Sequence, residues 1–260
     1  MKILQLGKFY PIRGGVEKVM YTFLEGLSAK GIGCDMLCAE CEGAGRTVEV
    51  APEAKVMTCR TLVKAAGTTI APGMIFTLRR IKSDYDIIHV HHPDPMAALA
   101  LLLSGYKGKV VLHWHSDIIR QRFFLTFYKW LQNWLVRRAD LVVGTTPPYL
   151  EHSEGLSAVT PKPATAVLPI GVEPLLRDPE GEEAIRSRWP GRKIVFALGR
   201  LIPYKGFEHL VEAAKALPDG YVVLIGGRGP LKDDLQRQID ECGLGGKVVL
   251  LGSVSDSEKA

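Results

Sequence analysis

The sequence predicts an α/β protein built from two β/α series, each on a parallel sheet. Three observations lead there. Short apolar runs of strand length alternate with longer segments of helical period along most of the chain. The loops leaving those runs are rich in glycine, histidine and basic residues, where an α/β sheet places its chemistry. Finally, Pro169-Ile170-Gly171-Val172-Glu173-Pro174 breaks the alternation and divides the chain into 1–170 and 171–260.

In the first series, Lys2–Leu6 reads as a buried strand. The loop Gly7–Gly15 carries Gly14-Gly15, and a helix follows from Val16 to about Lys30. Its apolar stripe is Val16, Val19, Met20, Phe23, Leu24 and Leu27, with Gly31 as its stop. Strand, glycine loop, helix is the layout of a phosphate cradle, although a plain tight turn uses the same residues. The spacing is neither G-x-G-x-x-G nor G-x-x-x-x-G-K-[ST], which weakens NAD and P-loop NTPase readings. Gly31–Ala39 is the second strand, with short strands near Thr47–Val50 and Lys55–Thr58 and a helix over Pro72–Lys82. The strand Asp86–Val90 feeds the loop His91–Pro95 and a helix through Leu103. Lys109–His113 is the next strand, ending in His113-Trp114-His115-Ser116-Asp117. The segment Asp117–Arg138 mixes Phe123, Phe124, Phe127, Trp130 and Trp134 with arginine and lysine. It reads as a helix packed on the sheet, or as a basic aromatic face touching a membrane or a lipid-linked acceptor. Asp140–Gly144 is a strand, Thr145–Ser153 opens a helix with Pro147 in its first turn, and Ala164–Leu168 closes the series.

The second series opens with a helical lead-in, Glu180–Trp189, and the strand Lys193–Leu198, whose apolar part reads as buried. Next comes Gly199-Arg200-Leu201-Ile202-Pro203-Tyr204-Lys205-Gly206, then a helix over Phe207–Leu217. Gly220–Ile225 is a strand leading into Gly226-Gly227-Arg228-Gly229-Pro230, followed by the helix Leu231–Cys242 and the strand Lys247–Leu251. Ser255 or Asp256 then starts a further helix. Arg200 and Lys205 lie five residues apart in a strand-to-helix loop between two glycines. A helix N-terminus adds free N–H groups and a positive dipole end, so the loop suits a diphosphate. The plainer reading is a solvated loop with two surface charges, and local chemistry leaves the two level.

Apolar residues make up 47% of the chain and charged ones 23%, the composition of a soluble globular protein. A net charge of +5 admits an anionic ligand or membrane surface and gives no reason to expect nucleic acid. No apolar run reaches bilayer length, and Met1–Gly7 has neither an h-region nor a cleavage site. A cytoplasmic location follows, with peripheral membrane contact through 118–138 as an extension. The five cysteines, an odd number without an export signal, read as free thiols. Cys34 and Cys38 share one strand face, and with Cys41 they find no fourth ligand at a metal-binding spacing. The histidines of the two loops fit no standard zinc pattern; one of them pointing into a cleft is the favoured reading.

Taken together, these segments resemble glycosyltransferase family 4, retaining enzymes of the GT-B architecture with two Rossmann-like domains facing a cleft. The resemblance rests on Gly14-Gly15-Val16-Glu17, His115–Gln121, Leu168-Pro169-Ile170-Gly171-Val172-Glu173, Gly199-Arg200-Leu201 with Lys205-Gly206, Gly226–Pro230 and Leu251–Asp256. It implies an acceptor-side domain over 1–170 and a partial nucleotide-sugar-binding domain over 171–260. Its reaction would move a hexose from a nucleotide-diphosphate sugar to a saccharide or lipid-linked acceptor in cell-surface polysaccharide or lipopolysaccharide synthesis. Arg200 and Lys205 would hold the donor diphosphate, Gly14 and Gly15 would approach the donor phosphate and the acceptor, and His115 would lie near the transferred sugar. Gly227, Gly229 and Val254 would lie by the nucleoside. No metal or other cofactor is expected.

The family's Glu-x7-Glu segment, which contacts the donor sugar, should fall beyond Val254, and no glutamate here takes that role. The expectation is therefore a second domain cut short and a chain weak or inactive by itself. Two further readings stay open: a nucleotide-binding module without catalysis, and a GT-B nucleotide-sugar epimerase. A phosphorylase would need a pyridoxal-phosphate lysine, for which there is no candidate.

Overall fold

The computed structural model describes residues 1–12, 14–65, 68–118, 122–161, 163–172 and 177–259; the side chains of 65, 122–127 and 256 fall outside that description. Two units result, Met1–Gly171 and Val172–Ala260.

The first unit runs β1 (Lys2–Tyr10), α1 (Gly15–Ser28), β2 (Gly33–Glu40), β3 (Thr47–Ala51), β4 (Ala54–Cys59), β5 (Val63–Ala65), β6 (Thr68–Ile70) and α2 (Gly73–Ile81). It continues with β7 (Ile87–His92), α3 (Pro95–Ser104), β8 (Lys109–Trp114), α4 (Arg122–Arg138), β9 (Leu141–Gly144), α5 (Pro147–Glu151), α6 (Glu154–Ser157) and β10 (Thr165–Val167). Eight strands form one sheet in the order β10-β9-β8-β7-β1-β2-β4-β3, parallel except for β3, which runs antiparallel to β4. The chain goes from β1 to β2 on one side and returns to β7 on the other. The loops after β1 and β7 therefore flank the topological switch point, where open α/β sheets bind ligands.

Both sheet faces are covered. Met20 and Leu24 of α1 pack with Ile3, Cys34, Met36, Cys38 and Val56. Leu4, Leu6, Leu37, Val90 and Leu112 form a second cluster with Leu78 of α2, Leu101 of α3 and Leu135 of α4. The strand period of two sends odd and even positions of β1 and β2 to opposite faces, which places Cys34 and Cys38 together. None of the five cysteines is in a disulfide.

Three strands run further than their sequence pattern suggested. β1 continues past Gly7: after a bulge between Leu6 and Phe9, Phe9 and Tyr10 pair with Ala39 and Glu40. β7 continues through His92 and β8 through Trp114, pairing His91 with His113 and His92 with Trp114. Most of the histidines expected in loops thus lie on adjacent strands, because backbone pairing continues where side-chain hydrophobicity ends. The antiparallel hairpin β5–β6 was not foreseen. In α4, Tyr128, Leu131, Leu135 and Val136 are buried and Trp130 is 60% exposed, so this stretch packs on the sheet. Phe123, Phe124 and Phe127 have side chains outside the description, as do residues 119–121.

The second unit runs α7 (Pro179–Arg188), β11 (Lys193–Leu198), a 3-10 turn (Pro203–Lys205), α8 (Phe207–Ala214), β12 (Tyr221–Gly226), α9 (Lys232–Glu241), β13 (Val248–Gly252) and α10 (Asp256–Lys259). Its sheet is parallel, in the order β11-β12-β13. Phe207 and Val211 of α8 and Leu235 and Ile239 of α9 cover Val223, Ile225, Val195 and Ala197. The buried strand expected at β11 is an edge strand instead: Phe196 and Leu198 are exposed, on the side these helices leave open. Ser255 caps α10 reciprocally: its hydroxyl accepts from the Glu258 N–H at 3.2 Å, and the Glu258 carboxylate accepts from the Ser255 N–H at 2.8 Å.

Candidate functional site

In the second unit backbone hydrogen bonds hold the loop after β11. The Gly199 N–H donates to the Gly226 carbonyl and the Leu201 N–H to the Arg228 carbonyl, each at 3.0 Å, while the buried side chains of Leu201 and Ile202 anchor the loop beneath. The neighbouring loop must be glycine for this to happen. A Cβ on Gly227, at φ +142°, would stand 1.8 Å from the Gly199 carbonyl oxygen, and one on Gly229 would stand 2.2 Å from the Leu201 carbonyl oxygen. Gly227 also donates to the Gly252 carbonyl at 2.6 Å. These two glycines, expected beside a nucleoside, thus clamp the segment that carries Arg200.

Arg200 and Lys205 are both exposed and make no ion pair among the described residues. The Lys205 ammonium lies 5.5 Å from the centre of the Tyr204 ring. Gly206, left-handed at φ 68°, ends the 3-10 turn and begins α8 without a side-chain cap, so no side chain competes for the first N–H groups of that helix. An open cleft of about 570 Å³ lies alongside, lined by Gly227, Arg228, Gly229, Lys232, Leu251, Gly252 and Ser253. Arg228 and Lys232 bring two further exposed cations that sequence reasoning did not assign. The available signal was an arginine between glycines at the carboxyl end of the next strand. Val254 packs on the loop: a Cβ on Gly226 would meet its Cγ2 at 2.7 Å.

In the first unit, Gly14 is the extended N-cap of α1 and Gly15 its first residue. A Cβ on Gly14 would meet the Glu17 carboxylate at 2.5 Å, whereas Gly15 faces open space. Glu17 is buried, and burial raises its pKa against the opposing pull of backbone N–H groups at Glu17 and Gly14 and of the Lys8 ammonium. Lys8 sits at φ 59°. Its N–H donates to the Asp94 carboxylate and its ammonium to the Pro93 carbonyl. Asp94 is itself buried and caps α3, accepting from the Ala97 N–H at 3.0 Å. One carboxylate therefore ties the β1 bulge to the loop after β7 across the switch point.

His115 follows β8 on the same rim and ends a hydrogen-bonded chain. Gln5 Oε1 lies 2.5 Å from His91 Nε2, and His91 Nδ1 lies 2.9 Å from His115 Nε2. An amide oxygen only accepts, so His91 carries its hydrogen on Nε2 and accepts at Nδ1 from the Nε2–H of His115. His115 is left with a lone pair on Nδ1, which bonds no described residue. Burial, with His113 and Lys8 beside it, pulls the His115 pKa down to about 2, which keeps the ring neutral. Burial likewise holds His89 at about 3 and His113 at about 4. His92 lies on the opposite face, its ring stacked on Trp114 at 3.7 Å.

His91, His113 and His115 each bring one ligand atom within 4.8 Å of the others. Their rings stack: His113 on His115 at 4.0 Å with 11° between planes, and His91 against His113 at 5.3 Å and 26°.

The profile described as Glycosyltransferase Family 4 matches residues 13–174, and that described as Glycosyl transferases group 1 matches 181–260. The chain belongs to glycosyltransferase family 4. It is 30% identical over 267 residues to O-antigen chain mannosyltransferase C of Escherichia coli, covering all of this chain and 69% of that protein. It is 33% identical over 270 residues to the GDP-mannose-dependent alpha-(1-6)-phosphatidylinositol monomannoside mannosyltransferase of Mycolicibacterium smegmatis, covering 98% and 68%. Among solved structures it is similar to Anabaena HepE in complex with UDP-glucose, with a TM-score of 0.73 at 18% identity over 100% of this chain and 71% of that one. That likeness shows the GT-B fold. This glycosyltransferase has no described helix long and apolar enough to cross a membrane.

Proposed function

We propose that this glycosyltransferase moves a hexose from a nucleotide-diphosphate sugar to a saccharide or lipid-linked acceptor, with retention at the anomeric carbon, in the synthesis of a cell-surface polysaccharide or glycolipid. The observation that carries the reading is the pair Arg200 and Lys205: two exposed cations without an ion pair among the described residues, on a loop that Gly227 and Gly229 hold in place. Glycosyl transfer breaks the bond between the anomeric carbon and a diphosphate oxygen. Charge grows on the diphosphate as it leaves, and cations positioned there lower the barrier. In this reading the two side chains neutralise the leaving group, and no metal is needed.

His115 accepts a hydrogen bond from a hydroxyl of the transferred sugar through Nδ1, because Gln5 and His91 leave that nitrogen unprotonated. A same-face, substrate-assisted route asks for no enzymic nucleophile. Gly15 faces open space and lets the donor phosphate or the acceptor approach the start of α1, beside Gly14, where the Glu17 carboxylate takes the Gly14 and Glu17 N–H groups. The mannosyltransferases among the relatives make GDP-mannose the first donor to try.

The test is incubation with GDP-mannose, GDP-rhamnose and UDP-glucose, with and without lipid-linked and soluble saccharide acceptors. We expect nucleoside diphosphate release only when an acceptor is present, at a rate below that of an enzyme carrying the Glu-x7-Glu segment, and a product whose anomeric configuration by NMR equals that of the donor. An inverted product would refute retention. Interconversion of nucleotide sugars without an acceptor would favour the epimerase reading.

A further inference from the structure

His89 and His91 alternate along β7, His113 lies on β8, and His115 follows just past its end. Strand pairing sets His91 opposite His113, and the period of two brings His115 to the same face. The face is the one that α1 covers, with the Phe23 ring 5.6 Å from His89 and 6.0 Å from His113. The transfer reading uses Gln5, His91 and His115 and leaves His113 without a task. Yet His113 is fully buried, and neither of its ring nitrogens bonds a described residue. A buried polar ring in that condition costs stability and calls for a ligand.

We propose that His91, His113 and His115 bind a divalent transition metal ion of the zinc type, and that the bound ion silences His115. Three imidazoles with one position left open form a set that suits zinc and its neighbours, whereas magnesium and calcium ask for oxygen ligands. His91 Nδ1 and His115 Nε2 already stand 2.9 Å apart, and His113 brings a third ligand atom within 4.8 Å of both. Two imidazole nitrogens on one tetrahedral zinc stand about 3.4 Å apart. To close on the ion, His91 and His115 part slightly and His113 turns out of its stack on His115. The terminal torsion of histidine is soft, and no hydrogen bond to a described residue restrains this ring. Water or hydroxide in the open position offsets part of the ion's charge.

The silencing follows from the protons. In the metal-free chain His115 carries its hydrogen on Nε2 and donates it to His91 Nδ1. The ion needs lone pairs on both of these nitrogens. His91 Nδ1 has one already, and His91 keeps its Nε2–H on Gln5 Oε1, which orients the ring from behind. His115 Nε2 gives its proton to solvent and Nδ1 takes one back, so the ring stays neutral and no net proton is released. Nδ1 then donates and can no longer accept from a sugar hydroxyl. This consequence for transfer rests on the reading of His115 given above; the binding of the ion does not.

The experiment titrates the metal-stripped 260-residue chain with cobalt chloride, displaces the cobalt with zinc chloride, and uses magnesium chloride as the control. We expect about one equivalent of cobalt with the visible bands of a tetrahedral ion, loss of those bands on adding zinc, and no effect of magnesium. Gln5→Leu should weaken zinc binding by about ten- to a hundredfold and His113→Phe, which removes a ligand outright, by at least about a hundredfold. His209→Gln, at an exposed ring outside the cluster, should leave it unchanged. Thermal melts of the metal-free variants check that each is folded. Nitrogen-15 NMR of the zinc-bound chain should show His115 Nδ1 protonated. No saturable cobalt binding, thiolate charge-transfer bands that place the ion on cysteine, or folded variants that bind zinc as tightly as wild type would each overturn the site. His115 Nδ1 unprotonated in the zinc-bound chain would overturn the silencing, and this readout needs no turnover. Where transfer is measured, zinc should stop it in wild type and spare His113→Phe; zinc bound at the site with transfer unchanged would refute the sugar contact of His115 and leave the site standing.

Discussion

Replacing Gly227 by alanine tests the clamp around Arg200. The new Cβ would stand 1.8 Å from a backbone oxygen, that of Gly199, so no side chain can rotate away to relieve it. The backbone at φ +142° is one that residues with a Cβ rarely adopt, at a cost of about 1–3 kcal/mol. Overpacking adds about 1–3 kcal/mol. The sum, about 2–6 kcal/mol, is a large share of the ~5–13 kcal/mol expected for a unit of this size. Urea unfolding followed through Trp189, the one tryptophan of 172–260, reads the second unit. We expect its midpoint to fall sharply in Gly227→Ala, and nucleoside diphosphate binding to weaken under conditions where the variant is still folded, because the Gly199–Leu201 backbone must move. Gly245→Ala is the control: nothing lies within 4 Å of its Cβ, and the same transition should shift little. A Gly227→Ala variant as stable as the Gly245→Ala control would refute the close approach.

Four further outcomes follow from the first unit. The depressed pKa values of His89, His92, His113 and His115, about 3, 3, 4 and 2, mean that the folded unit binds fewer protons than the unfolded chain below the unfolded histidine value of ~6.5. Stability is therefore fully present above that value and is lost as pH falls toward 4, at up to ~1.4 kcal/mol per histidine per pH unit; calorimetric melts from pH 7.5 to 5 should show it. His113→Phe should reduce that slope by about one proton and raise the melting temperature at pH 5, since both His113 ring nitrogens are buried and bond no described residue. Asp94→Ala should destabilise by about 1–3 kcal/mol, losing the α3 cap and the tie to Lys8, with urea unfolding of the first unit as the measurement. Gln5→Leu should remove the acceptor that sets the His91 tautomer, and nitrogen-15 NMR should then show His115 in mixed tautomers; a spectrum unchanged from wild type would sink the hydrogen-bonded chain.

Much of the fold was legible because parallel strands buried on both faces are continuous apolar runs: Leu4, Leu6, Leu37 and Val90 announce themselves. Polar residues that belong to strands do not. His91, His92 and His113 looked like loop residues, yet they pair across β7 and β8, where Gln5 bonds His91, Gln132 bonds His92, and the His113 ring nitrogens bond no described residue. The β5–β6 hairpin is too short for periodicity to register. β11 read as buried because its composition is apolar on both sides, while only Val195 and Ala197 face helices. At the site, the grouping of Arg200 with Lys205 was visible from spacing. The role of Gly227 and Gly229 was not, since a glycine needed by a ligand and one needed by a neighbouring backbone look alike until the 1.8 Å and 2.2 Å approaches are seen. The Gln5–His91–His115 chain joins residues far apart in sequence, and only sheet order brings them together.

The diphosphate grip is tested most directly by titration calorimetry of GDP and UDP into the wild-type chain and into Arg200→Ala and Lys205→Ala. A charge-assisted hydrogen bond is worth about 1.5–3 kcal/mol, so each substitution should weaken binding by about ten- to a hundredfold while the thermal melt of the unliganded protein stays in place, both side chains being exposed. Wild-type protein that binds neither nucleotide, or variants that bind as tightly as wild type, would contradict the assignment of Arg200 and Lys205.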